Sequence, residues 1–179
     1  MERERARVAD LVEDLAARLG TTALATVCIE LLQGAPRERY LEELRGLTGH
    51  DWRSGDAVLD RTRWGDHWVR SWGARGLLHV WHDSATSAVA AGLHDEHWRP
   101  AEMCLKVVAH HDVAGAGDGA AALVGHGLPR VRAQALRALA VVGDTDHVAV
   151  VEAALDDPDP DVRRRAARSL EALEGRLDR

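Results

Sequence analysis

Residues 150–173 read VVEAALDDPDPDVRRRAARSLEAL, two apolar helical stretches joined by an aspartate–proline turn. Pro158 and Pro160 cannot continue a helix, so they stop the first stretch and fix the turn. Val162 opens the second stretch, and Val162, Ala166 and Leu170 recur every four residues on one helix face. Moving outward, Val162 is preceded by Val131, Pro100 and Val69 at a constant step of 31 residues. Four residues on from each lie Gly73, Cys104, Ala135 and Ala166, and eight on lie Leu77, Val108, Leu139 and Leu170. Seven back come Thr62, Leu93, Val124 and Leu155; eleven back come Val58, Val89, Ala120 and Val151. A fixed period of this size is the signature of a solenoid, in which each unit buries its apolar face against its neighbours.

Period-3.6 patterning runs through nearly the whole chain, and the alternation of a strand is missing. The pattern predicts helices at 5–19, 22–33, 36–47, 55–63, 67–81, 85–94, 98–111, 118–126, 129–142, 146–156 and 160–175. Gly20 and Gly34 follow apolar runs as C-terminal glycines do, and Pro36 suits a first helical turn. Thr21 or Thr22, Ser54, Asp66, Ser84 and Asp144 to Thr145 are N-cap candidates. From residue 54 onward each period is a short helix A, a tight turn and a longer helix B, giving repeats at 54–84, 85–115, 116–146 and 147–177. Residues 1–50 lose the phase: Glu38, Glu42 and Gly46 fall where the core columns should continue. They are expected to form an N-terminal helical cap, since terminal units of solenoids depart from the consensus.

Asp157, Pro158, Val162, Arg163, Ala166 and Leu170 resemble the HEAT-repeat family, in particular the HEAT-like repeats of the phycobilisome-lyase type. Similar units run from Val124 through Leu139 and, more weakly, from Val89 through Val108 and Val58 through Leu77. The resemblance implies an all-α, right-handed superhelix of helical hairpins with helix B lining the concave side. Such repeats serve many roles, so fold alone names no function.

The net charge of −6 and pI near 5.9 give no global pull toward nucleic acid or an anionic membrane. No apolar run reaches the roughly 20 residues that cross a bilayer, and the mixed charges of MERERARVADLVEDL do not make a secretory signal. A cytoplasmic protein is expected. Cys28 and Cys104 lie on apolar faces far apart in sequence and read as two buried thiols.

On helix B the buried columns share one side, and the position six residues on from the first column lies opposite. That position holds Arg75, Lys106, Arg137 and Arg168, basic in every repeat, with Arg164 and Arg165 adding charge at the C-terminal end. Two readings stand: a solvated face, where Glu102 pairs with Lys106 and Glu171 with Arg168, or a groove for an acidic protein or peptide segment. Trp68 and Trp72 fall on the same open side and are candidate anchors of that groove. Folding of the N-terminal helices over them would instead make them core.

Little points to catalysis. His79, His82 and Asp83, and His110, His111 and Asp112, lie at corresponding helix ends, but such histidines also suit the helix dipole. No metal or other cofactor is expected. A HEAT-like di-iron hydroxylase family carries His-Glu pairs on its B helices; here those positions read Ser71–Trp72, Glu102–Met103, Ala133–Gln134 and Arg164–Arg165. A second HEAT-like family excises alkylated bases from DNA with a basic groove, tryptophans and an acid. Trp68, Trp72, Arg75, Glu102 and Lys106 match it in composition only. No exposed cysteine supports a bilin lyase, and GAGDG (115–119) follows no strand, so it reads as a flexible turn. The expectation is a non-catalytic interaction module, with nucleic-acid binding as the alternative; oligomeric state stays open.

Overall fold

A computed structural model describes the backbone of residues 2–50 and 57–178 and the side chains of residues 8–50 and 57–178. The Ser54 cap and the start of the 55–63 helix lie outside the described residues. Ten α-helices and no strand are present among the described residues: α1 Glu2–Leu19, α2 Thr21–Leu32, α3 Leu41–Thr48, α4 Asp66–His79, α5 Thr86–Gly92, α6 Trp98–His111, α7 Gly117–Leu123, α8 Pro129–Val142, α9 Val148–Ala153 and α10 Pro160–Leu177. Two compact units divide the chain, Met1–Gly92 and Leu93–Arg179.

The period is visible in the helix starts. α5, α7 and α9 begin at 86, 117 and 148, and α6, α8 and α10 at 98, 129 and 160, so both series keep the 31-residue step. In the second unit α6 packs on α8 and α8 on α10, the side-by-side stacking of a solenoid. Cys104, Ala135, Ala166, Val131, Val162, Val108 and Leu139 are fully enclosed between them. Small residues at 104, 135 and 166 let neighbouring B helices approach. Leu155, between α9 and α10, is exposed.

The turns before α6, α8 and α10 are built the same way. Asp95, His126 and Asp157 each accept the backbone N–H two residues on, from His97, Leu128 and Asp159. Asp159 then caps α10 by accepting from Asp161 and Val162. The arginine after the conserved-phase valine clamps its own turn: Arg132 donates to the His126 and Gly127 carbonyls, and Arg163 to those of Asp157 and Pro158. Arg132 also reaches the next turn, where its guanidinium grips Asp157 through two bonds of 2.7 Å.

Both partners of that bridge are about nine-tenths enclosed, 11% and 9% exposed in side chain. The Arg132 guanidinium holds the Asp157 carboxyl below its usual range, and Asp157 raises Arg132 in turn. A depressed carboxylate stabilises the fold above its unfolded pKa, and that contribution is lost as pH falls through the folded value. Asp157→Ala is therefore expected to cost about 3 kcal/mol, because it leaves an enclosed guanidinium without its counter-charge. Urea unfolding at neutral pH and again below the carboxylate range checks this. The gap between wild type and variant should close in acid; an equal gap at both would remove the ion pair from the account.

In the first unit α2 lies along α4, α1 packs on α2 and α3, and α3 on α4. Two predicted helices are not formed as expected there. Residues 36–47 split into a 3-10 turn, Arg37–Arg39, and α3, because Tyr40 leaves helical geometry and Arg37 points inward. In the stretch predicted as 55–63, the described residues form only the 3-10 turn Ala57–Leu59. The Asp60 carboxylate captures the Thr62 N–H and hydroxyl, and a side chain that bonds nearby backbone competes with helix. The GAGDG segment also differs: its last three residues open α7, and only Gly115, at φ +74°, makes the turn.

Candidate functional site

The B helices of the second unit carry the basic positions on their open face. Lys106 on α6 is half-buried, while Arg137 on α8 and Arg168 on α10 are exposed. Their charges are handled differently along the stack. At the α6 end, Glu102 is only 7% exposed and is held by a fork from Arg130, with two contacts of 2.9 Å, and by Lys106 at 3.3 Å. Arg130 also lies 4.9 Å above the Trp98 ring, and Arg99 lies 4.4 Å from it. Glu102 is thus shared by two cations, and its bridge to Lys106 is the local pair their spacing expects.

At the α8–α10 end the local pairing fails. Arg137, Arg165 and Arg168 have no hydrogen bond or ion pair among the described residues; Glu171 does not reach Arg168. The neighbouring Arg164 is paired, with Asp161. Desolvation lowers the Arg165 pKa first, and the charges of Arg137 and Arg168 lower it further, so the three cations stand close enough to repel. Beside them Gln134 is 8% exposed, and its amide Nε2 has no acceptor. A buried donor without a partner costs about 1–3 kcal/mol.

Register explains the grouping. Gln134 and Arg165 occupy equivalent positions on α8 and α10, as do Arg137 and Arg168, one helical turn further on. Neighbouring packed helices lie about 8–10 Å apart, so the three arginines form one patch, with Gln134 buried at the position level with Arg165. The basic column read from the sequence holds Arg137 and Arg168, with Arg165 as added charge. Its place three residues before Arg168 was the available signal. Nothing in the sequence marked the Gln134 amide as unpartnered.

The first-unit candidates are placed differently. Arg75 is half-buried and donates to the Leu47 carbonyl at 2.8 Å. The helix wheel puts Trp72 on the open side of α4, but it is 6% exposed in the structure. Trp64 packs on it at 5.4 Å between ring centroids and Trp68 at 6.2 Å, so the three indoles bury one another. Trp68 is half-buried and also meets His67 at 5.5 Å.

Among the described residues no three His, Cys, Asp or Glu side chains converge as a metal would need. His147 caps its own turn with Asp144 and meets Asp118 at 3.1 Å. Cys28 and Cys104 are buried free thiols; burial pushes Cys28 up to about 12 and Cys104 higher, which leaves both inert. No single helix among the described residues is long and apolar enough to cross a membrane.

Comparison with curated proteins finds no match. A solved crystal structure of an engineered protein, a structural-genomics target, is similar with a TM-score of 0.52 and 17% identity, covering 98% of this chain and 92% of that one. At that identity the likeness is one of fold. A family model for HEAT repeats matches residues 120–178, the segment that holds the Arg132 and Arg163 clamps and the aspartate–proline turn. Those residues are similar to HEAT repeats, and the chain is an all-α helical repeat protein.

Proposed function

We propose that this protein is a non-catalytic protein–protein interaction module that holds an acidic segment of a partner on the open face of its B helices. One observation carries the reading. The chain has 29 acidic and 23 basic residues, yet Arg137, Arg165 and Arg168 stand together without a carboxylate among the described residues. Elsewhere Arg37, Arg61, Arg130 and Arg132 are each paired with a carboxylate. An acid-rich surface that leaves three guanidiniums unneutralised is complementary to an external anion. The helices that present them are already packed, so little ordering entropy opposes binding. In the first unit Trp68 is the side chain suited to anchoring, since Trp72 and Arg75 are taken up in packing. Glu102 is held by two cations and is poorly placed to act as an acid or base. A cytoplasmic setting suits the two buried free thiols.

The test is fluorescence anisotropy of a labelled fifteen-residue peptide rich in aspartate and glutamate, at low and near-physiological salt. Wild type is expected to bind with salt-sensitive affinity, and the Arg137→Glu/Arg168→Glu double variant to lose about tenfold or more. Tighter capture of a DNA duplex, with the steep salt dependence of phosphate neutralisation, would replace this reading by nucleic-acid binding. If neither ligand binds, the face is an ordinary solvated surface.

A further inference from the structure

We infer that the patch formed by Gln134, Arg137, Arg165 and Arg168 is a site for a phosphorylated side chain, a phosphoserine or phosphothreonine in the partner segment. The inference rests on the interaction-module reading and narrows its ligand. Register and helix packing put two donors on α8 and two on α10 at equivalent positions, and Arg165 feels the charges of both Arg137 and Arg168.

Charge count decides between the anions. Three guanidiniums lack a counter-charge here, and one carboxylate carries a single negative charge on two oxygens. A phosphate monoester carries about −1.5 to −2 at neutral pH and offers three acceptor oxygens. Planar guanidinium forks match phosphate oxygens in pairs, which a string of separate carboxylates does not reproduce in so small an area. Desolvation first and then the charges of Arg137 and Arg168 disfavour the Arg165 cation, and a dianion set among the three offsets the repulsive part.

Gln134 supplies the second, independent observation. Its amide Nε2 is enclosed and unpartnered, and native proteins rarely leave a buried donor in that state. One turn from Arg137 and level with Arg165, it donates to a phosphate oxygen, without adding charge, once the side chain turns outward from its enclosed position. The α6 corner cannot serve, because Glu102 already occupies Arg130 and Lys106.

Three labelled peptides of one sequence, with serine, phosphoserine or glutamate at the central position, test the inference by anisotropy against the intact chain. The phosphoserine peptide is expected to bind about tenfold or more tightly than the glutamate peptide, and the serine peptide least. Gln134→Leu should lower phosphoserine affinity by about tenfold while leaving thermal stability equal or higher, since it removes an unmatched donor. Arg168→Ala, at an exposed position, should do the same to affinity with the fold intact. Equal binding of the glutamate and phosphoserine peptides overturns the phosphate assignment and leaves the acidic-partner reading standing. Binding of none of the three overturns both. A single-stranded oligonucleotide that outcompetes the phosphopeptide overturns the assignment in favour of nucleic acid.

Discussion

Replacing Arg37 by alanine is expected to destabilise the first unit by about 3–5 kcal/mol. Arg37 is 1% exposed and donates to the Val58 carbonyl at 2.5 Å, the Trp64 carbonyl at 2.6 Å and the Asp66 carboxylate. It is the pin that holds the irregular segment 57–66 against the helices. Removal leaves two inward-facing carbonyls without a donor, each costing about 1–3 kcal/mol, and adds a cavity the width of the side chain. Asp66 contributes less to the loss, since its carboxylate is half-exposed and keeps Arg61 at 2.7 Å. Lysine should restore only part of the stability, because a single ammonium cannot span three acceptors on different segments.

Trp64, Trp68, Trp72 and Trp81 all lie in the first unit, so tryptophan emission during urea unfolding reads the change where it occurs. The acid limb gives a second check. Arg37 holds the Asp66 carboxyl below its usual range through their hydrogen bond. Its stabilising contribution is present above the unfolded carboxylate pKa and fades as pH falls through the folded one. In Arg37→Ala most of that fading should be absent. A loss under about 1 kcal/mol would show that the pin is dispensable.

Gly73→Ala is expected to destabilise the same unit by about 2 kcal/mol or more. A Cβ at Gly73 would stand 2.6 Å from the Cys28 carbonyl oxygen and 2.7 Å from the Leu32 nitrogen, with Leu31 Cβ at 3.0 Å. The obstacles are backbone atoms of α2, which cannot move aside without separating the two helices. Alanine gains about 1 kcal/mol of helix propensity over glycine, and the clash must exceed that gain. Gly175→Ala in α10 is the matched control: nothing lies within 4 Å of its added Cβ, so propensity alone acts and stability should rise by about 0.5–1 kcal/mol. Parallel denaturation of both variants settles the matter. A stabilised Gly73→Ala would mean that α2 and α4 do not meet this closely.

Much of this architecture could be read from the chain. The helices predicted at 98–111 and 129–142 match α6 and α8 end for end, because proline, turn-forming aspartate and a strict apolar period agree at every level. Gly73 could be read as small from its column with Cys104, Ala135 and Ala166. That it must be glycine follows from the approach of α2, a helix outside the repeat phase. Arg37 could not be read at all: an arginine in an amphipathic stretch looks like a solvated residue, and only contacts 21 to 29 residues away turn it inward.

The candidate site divides along the same line. Helical register, a property of sequence alone, placed Arg137 and Arg168 on one open face and gave the 31-residue step that stacks them. Sequence also carried the turn clamp, since Arg132 and Arg163 act on backbone only five and six residues away. Tertiary structure decided which charges remain available. Arg130 crosses from α8 to neutralise Glu102, the indoles of Trp64, Trp68 and Trp72 enclose one another, and Arg165 joins Arg137 and Arg168 with no acid in reach. Spacing along a helix fixes direction, but the partner a charge meets depends on atoms brought in from elsewhere in the chain.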